Sequence, residues 1–137
     1  MNSLLLALQF FTIIPIKKNL PMEKRHITGM YTVFPLVGAG IGATASLALY
    51  FEWSSLMTAF VIVSLGILLS GGLHMDGFID TSDAFFSYRD LKKRMEILDD
   101  PRVGAVSVMA IVLLIVGKVI IIAEVLSSES FHWIFIV

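Results

Sequence analysis

The chain contains no cysteine, which removes disulfides, thiolate metal sites and thiol nucleophiles from consideration together. Any metal it holds is a hard cation on oxygen or imidazole. Charge is scarce as well: Asp, Glu, Lys and Arg make up 15% of 137 residues, and the formal net charge is -1. There is no positive field to recruit nucleic acid, and no nucleic-acid partner is expected. Internal repeats and low-complexity segments are missing too. Gly71-Gly72 is not followed by Gly-Lys-Ser/Thr, so it forms no P-loop and reads as a flexible entry to the next helix. The first apolar run, Leu4 to Ile16, has no basic residue before it. It ends on Pro15, Lys17 and Lys18 where a secretory signal would have a small-residue cleavage site, and a cleaved signal is not expected.

What the chain has in abundance is apolar side chain. Hydrophobic residues make up 57% of it, and the mean hydropathy is +0.88, outside the range of a soluble domain. The excess must face a lipid bilayer. A helix crosses the hydrocarbon core with about 20 apolar residues, and three stretches qualify: Met30 to Phe51, Ser54 to Leu73 and Val103 to Leu126. Leu4 to Ile16 is shorter and predicts a tilted, re-entrant or interfacial helix. Within the first span, Pro35 predicts a kink, and Gly38, Gly40 and Gly42 predict a face on which helices pack closely. The expected fold is all-α, a polytopic transmembrane helix bundle forming one domain over residues 1–137, with a helical, acidic cytoplasmic insert over 71–102. The run Phe131 to Val137 stops before it could cross anything, and the chain is expected to be the N-terminal part of a longer enzyme.

Basic residues orient the bundle. Lys17, Lys18, Lys24 and Arg25 precede the first span, and Arg89, Lys92, Lys93, Arg94 and Arg102 lie between the second and third. The connections around Glu52 and Ser127 to Ser130 carry none, so the basic side is expected to be cytoplasmic in a multi-pass cell-membrane protein. Lys118 lies inside the third span, to snorkel or to face a polar interior.

The chemistry sits in the insert. In Leu73-His74-Met75-Asp76-Gly77-Phe78-Ile79-Asp80-Thr81-Ser82-Asp83, a helix places Asp76, Asp80 and Asp83 on one face at i, i+4 and i+7. Like charges so spaced repel, and a divalent cation among converging carboxylates relieves them; with oxygen ligands, Mg²⁺ is the favoured ion. The plainer alternative is a solvated acidic face. The apolar residues interleaved with the aspartates place them near the membrane interface, where ionisable groups carry function. In the second half, Glu96 is expected to pair with Lys92 and to lie a turn from Asp99 and Asp100. It forms either surface ion pairs or a second acidic group with Lys93, Arg94 and Arg102 neutralising phosphates. His74 is a general base, a metal ligand or a helix-start cap. His26 and His132 have no polar company in the sequence that would give them chemistry.

Residues 71–83 and the stretch Arg94-Met95-Glu96-Ile97-Leu98-Asp99-Asp100-Pro101-Arg102-Val103-Gly104 resemble the two signature stretches of the cobalamin synthase family, the adenosylcobinamide-GDP ribazoletransferases. Leu5-Leu6-Ala7-Leu8-Gln9-Phe10, Pro15 and Phe34-Pro35-Leu36-Val37-Gly38 are similar to its N-terminal pattern. Two positions depart from it: Ile13-Ile14 stand where a basic residue is common, and Asp99 where lysine is usual. The resemblance implies a polytopic membrane enzyme of the last steps of cobalamin synthesis. Such an enzyme joins adenosylcobinamide-GDP to α-ribazole, or to α-ribazole 5'-phosphate, releasing GMP and using Mg²⁺. It implies Asp76, Asp80 and Asp83 as the acidic motif holding metal, Glu96 and Asp100 as a second acidic pair, and Arg102 beside it. Catalysis would fall to Asp76, His74 and Arg102. The rival expectations are an incomplete, inactive fragment of that enzyme, or a divalent-cation transporter lined by the same aspartates; homo-oligomerisation is left open.

Overall fold

The computed structural model describes residues 2–100 and 102–128. The apolar run Phe131 to Val137, His132, and Glu129 and Ser130 of the last connection lie outside the described residues. Among the described residues all regular structure is helical and there is no strand, as the apolar patterning predicts. The helices are α1 (Asn2–Phe11), α2 (Lys24–Ser46, continued by a 3-10 turn over Leu47–Tyr50), α3 (Ser55–Leu69), α4 (Leu73–Phe86), α5 (Leu91–Leu98) and α6 (Ala105–Ser127). Two of them are long and apolar enough to cross a membrane singly: α2 with its 3-10 turn, and α6. Two compact units divide the chain.

The first unit holds Met1–Trp53 and Val61–Gly72. Its core is built where α1 lies on α2: Leu6 and Ala7 bury against Met30 and Val37, with Val33 and Ile41 extending the same stripe. The helices come so close that a Cβ on Gly29 would sit 3.0 Å from the Ser3 Cβ. The chain then doubles back along α1, where the Gln9 amide donates to the Ile16 carbonyl at 3.0 Å. At 10 residues, α1 is about 15 Å long and spans half a bilayer core at most.

α2 starts at Lys24, six residues before the apolar run does, because the helix continues into its polar flank. Pro35 lies inside it without interrupting it. The expected packing face is open: a Cβ at Gly38, Gly40 or Gly42 would meet nothing within 4 Å.

α3 is shorter than the apolar stretch Ser54 to Leu73 predicts. Its 15 residues cover about 22 Å against a core of about 30 Å, so it passes as a span only if taken together with α4. The stop is built by Gly71 and Gly72, at φ 68° and 72°. Gly71 N–H donates to the Leu68 carbonyl at 3.0 Å and Gly72 N–H to the Ile67 carbonyl at 3.1 Å. These are the two bonds of a Schellman cap. The glycine pair is thus a helix terminator and not merely a loose entry.

The second unit holds Ser54–Phe60 and Leu73–Val137. Here α4 packs against both α5 and α6. Small side chains permit the approach: Ser82, Ala84 and Ser107 are buried, and the Ser107 hydroxyl donates back to the Gly104 carbonyl at 2.8 Å. α5 begins because Asp90 caps it, its carboxylate accepting from Lys93 N–H at 2.8 Å. Along α6 large apolar side chains such as Leu113 and Ile121 stay exposed, the surface a lipid-facing helix presents. Lys118 is exposed on the same helix.

Candidate functional site

The predicted acidic helix exists. Asp76, Asp80 and Asp83 all fall within α4, and their spacing puts them on one side of it. Their surroundings differ. Asp76 stands exposed in the first turn, where the positive end of the helix favours a carboxylate. Asp80 and Asp83 are half-buried. His74 is two residues before Asp76 and exposed, a spacing at which side chains do not face each other on a helix. The three carboxylates do not converge on one point: among the described residues no three His, Asp or Glu side chains form a group able to hold a metal.

What draws Asp83 away is α6. Its Oδ2 accepts from the backbone N–H of Gly104 at 2.5 Å, the residue preceding the first turn of α6. Only glycine permits this, since a Cβ at residue 104 would lie 2.7 Å from the Asp83 Cγ. The φ of Gly104 is an ordinary -81°, so the demand for glycine is one of space and not of backbone conformation. The tie was not readable from periodicity, although glycine ahead of an apolar run is a helix-start signal.

Around the tie opens a cleft of about 440 Å³, lined by Asp83, Phe86, Ser87, Ile97, Arg102 and Gly104 among others. At its mouth Arg102 and Asp100 bind each other: Arg102 Nη2 lies 2.6 Å and Nε 3.0 Å from the two carboxylate oxygens. The guanidinium bond, then the Arg102 backbone N–H, lower the Asp100 pKa from 3.8 to about 2. Asp100 is therefore a held carboxylate, and Arg102 carries its neutralising partner with it.

Glu96 does not take Lys92 as its partner. It binds Lys93, three residues earlier, at 2.6 Å. Positions three and four back are both neighbours on a helix surface, and here the nearer is used. α5 ends at Leu98 with Asp99 as its cap, which leaves Asp100 beyond the helix and able to turn to Arg102. His26 lies among Asn2 and Ser3, which α1 brings to it, and its sequence neighbour Arg25, with Nδ1 3.9 Å from Glu23.

Comparison with known proteins supplies the affiliation. The family described as cobalamin-5-phosphate synthase matches residues 3–137. The chain belongs to that family. Among curated relatives, the adenosylcobinamide-GDP ribazoletransferase of Geobacillus kaustophilus (strain HTA426) is 44% identical over 98% of this chain and 48% of its own length. The protein of the same name from Halalkalibacterium halodurans is 42% identical over 98% of this chain and 53% of its own. That from Clostridioides difficile is 39% identical over 99% and 53%. The chain thus spans about half the length of the curated relatives it matches. No solved structure matches it.

Proposed function

We propose that this chain, together with the part of the family's length that it does not span, is a Mg²⁺-dependent membrane transferase. It joins adenosylcobinamide-GDP to α-ribazole or its 5'-phosphate and releases GMP. In that reaction a ribazole hydroxyl oxygen forms a bond to the phosphorus carrying the cobinamide, the bond to the GMP phosphate breaks, and the hydroxyl proton is lost. Little covalent work falls to the protein; positioning and charge neutralisation carry phosphoryl transfer.

The observation that supports this reading is the Asp83–Gly104 tie, which gathers an acidic helix, the N-terminus of α6 and Arg102 around one cleft. Helix N-termini and arginine both suit phosphate oxygens. The donor set fits Mg²⁺, which takes one or two carboxylates, keeps water and leaves positions for phosphate. Asp80 and Asp83 offer such carboxylates half-buried on one helix face, and Gly104 uses only one of the acceptor sites of Asp83. Asp76 extends the face towards solvent, and Glu96 and Asp100 form the second acidic pair. When bound, the ion would offset charge on the pyrophosphate as GMP departs. Arg102 orients a phosphate from the cleft mouth, exchanging part of its bond to Asp100 for it. His74 serves as general base to a hydroxyl approaching the first turn of α4. The basic residues of the connections support a cytoplasmic cleft in a multi-pass cell-membrane protein.

The test is GMP release by the chain co-expressed with the remaining portion of a relative and reconstituted in lipid. Release is expected only with both substrates and Mg²⁺ present. Equal release in excess EDTA would sink the metal, and none with any acceptor would sink the reaction.

A further inference from the structure

In the first unit, α1 and α2 leave an apolar groove of about 300 Å³ between them. One wall is Leu4 and Leu8 of α1 with Thr12 just past its end, and the other the α2 stripe Leu36, Gly40, Thr44, each at i, i+4, i+8, the spacing of a surface ridge. Both hydroxyls are already spent on their own chain, Thr12 on the Leu8 carbonyl at 2.6 Å and Thr44 on the Gly40 carbonyl at 2.9 Å. The groove therefore asks nothing polar of an occupant. Leu36 at its rim is 68% exposed, and a Cβ added at Gly40 would meet no atom within 4 Å. Small residues on a membrane helix serve close helix approach, yet none of the described residues makes that approach.

We propose that this groove seats an apolar membrane-crossing helix from the portion of the family's length that the chain does not span. Three facts argue for that occupant. The relatives are about twice as long as the stretch matched here. The groove is lined for an apolar surface. Gly40, the glycine that lines it, sits on a helix long enough to cross a membrane, so a second helix can run beside it with backbones near contact. The inference rests on family membership and not on the proposed reaction, and it is read without substrate.

The test co-expresses this chain with the unmatched portion of the Geobacillus kaustophilus relative. Wild-type chain is expected to co-purify with it in mild detergent. Gly40→Leu, whose Cβ meets no atom within 4 Å and whose side chain occupies the groove, is expected to lower recovery about tenfold. Gly117→Leu, equally open but on α6, is expected to leave it unchanged. Because the chain has no cysteine, Gly40→Cys gives a unique thiol. It should cross-link to cysteines spaced three or four residues apart on one helix of the partner. Absence of co-purification, equal loss in both leucine variants, cross-linking only to a second copy of the chain, or labelling by a lipid-soluble maleimide that the partner does not reduce would each overturn the proposal.

Discussion

The Asp83 carboxylate holds the backbone N–H of Gly104, 21 residues further on, at 2.5 Å. That bond joins the end of the acidic helix to the start of one long and apolar enough to cross a membrane, and it converts two separate sequence motifs into the walls of a single cleft. A carboxylate at this place also faces the positive end of α6, where a negative charge is favoured.

Gly104→Ala is therefore expected to destabilise the second unit, because a Cβ there would lie 2.7 Å from the Asp83 Cγ. The cost is about 1–3 kcal/mol, as for overpacking elsewhere, read from denaturant-induced loss of helical signal in detergent. In an Asp83→Ala background the same substitution should cost clearly less, since the clashing group is gone. Equal costs in the two backgrounds would show that the tie is not what requires glycine.

The Asp100–Arg102 pair predicts a pH signature. With its pKa lowered from 3.8 to about 2 by the guanidinium, the Asp100 carboxylate contributes stability that is complete above 3.8. That contribution fades as pH falls towards 2. Across roughly pH 5 to 8, where histidine is the side chain that ordinarily titrates, the pair keeps its charge and adds no slope. Carboxyl carbon chemical shifts of Asp100 report the midpoint directly. Arg102→Gln should move it back up towards the ordinary carboxylate value, and an unmoved midpoint would refute the assignment.

Much of this was legible in advance, for identifiable reasons. α4 is visible because Asp76, Asp80 and Asp83 alternate with apolar residues at helical spacing, and α6 because its run is long and uninterrupted. Helix limits are less legible: hydropathy sees where lipid-compatible residues begin at Met30, whereas the backbone is already helical at Lys24. Leu73 looks like the end of a span to a hydropathy window, but Gly71 and Gly72 take positive φ and end α3 at Leu69. The Asp83–Gly104 contact is a tertiary bond and leaves no periodic trace. Whether Glu96 bonds Lys92 or Lys93 is a choice between two near-equivalent neighbours, which spacing alone does not decide.

The Schellman cap gives its own prediction. Gly71→Ala or Gly72→Ala forces an L side chain into the left-handed region at φ 68° or 72°, at a cost of about 1–2 kcal/mol each. Since neither position is crowded within 3.4 Å by a built Cβ, the loss would come from the backbone alone. D-alanine introduced by semisynthesis at Gly71 should then restore stability; if it does not, backbone conformation is not the reason for glycine there.

The roles of the acidic residues separate by what each already binds. Asp80 is half-buried on the face of α4 that reaches Asp83, and Asp80→Asn removes charge without changing shape. GMP release should fall on the order of 100-fold, the scale for loss of a charge-stabilising group, and the Mg²⁺ concentration for half-maximal rate should rise. Glu96 is different, because it is paired with Lys93 on an exposed helix surface at 2.6 Å. Such a pair is worth about 0.3–0.5 kcal/mol, so Glu96→Gln should leave folding nearly untouched. Any large drop in its rate must then come from the reaction and not from stability. A raised Mg²⁺ requirement in both variants would place both acidic groups on the metal. A raised requirement in Asp80→Asn alone would confine the ion to α4, and wild-type rate and Mg²⁺ dependence in Asp80→Asn would remove the α4 carboxylates from the reaction.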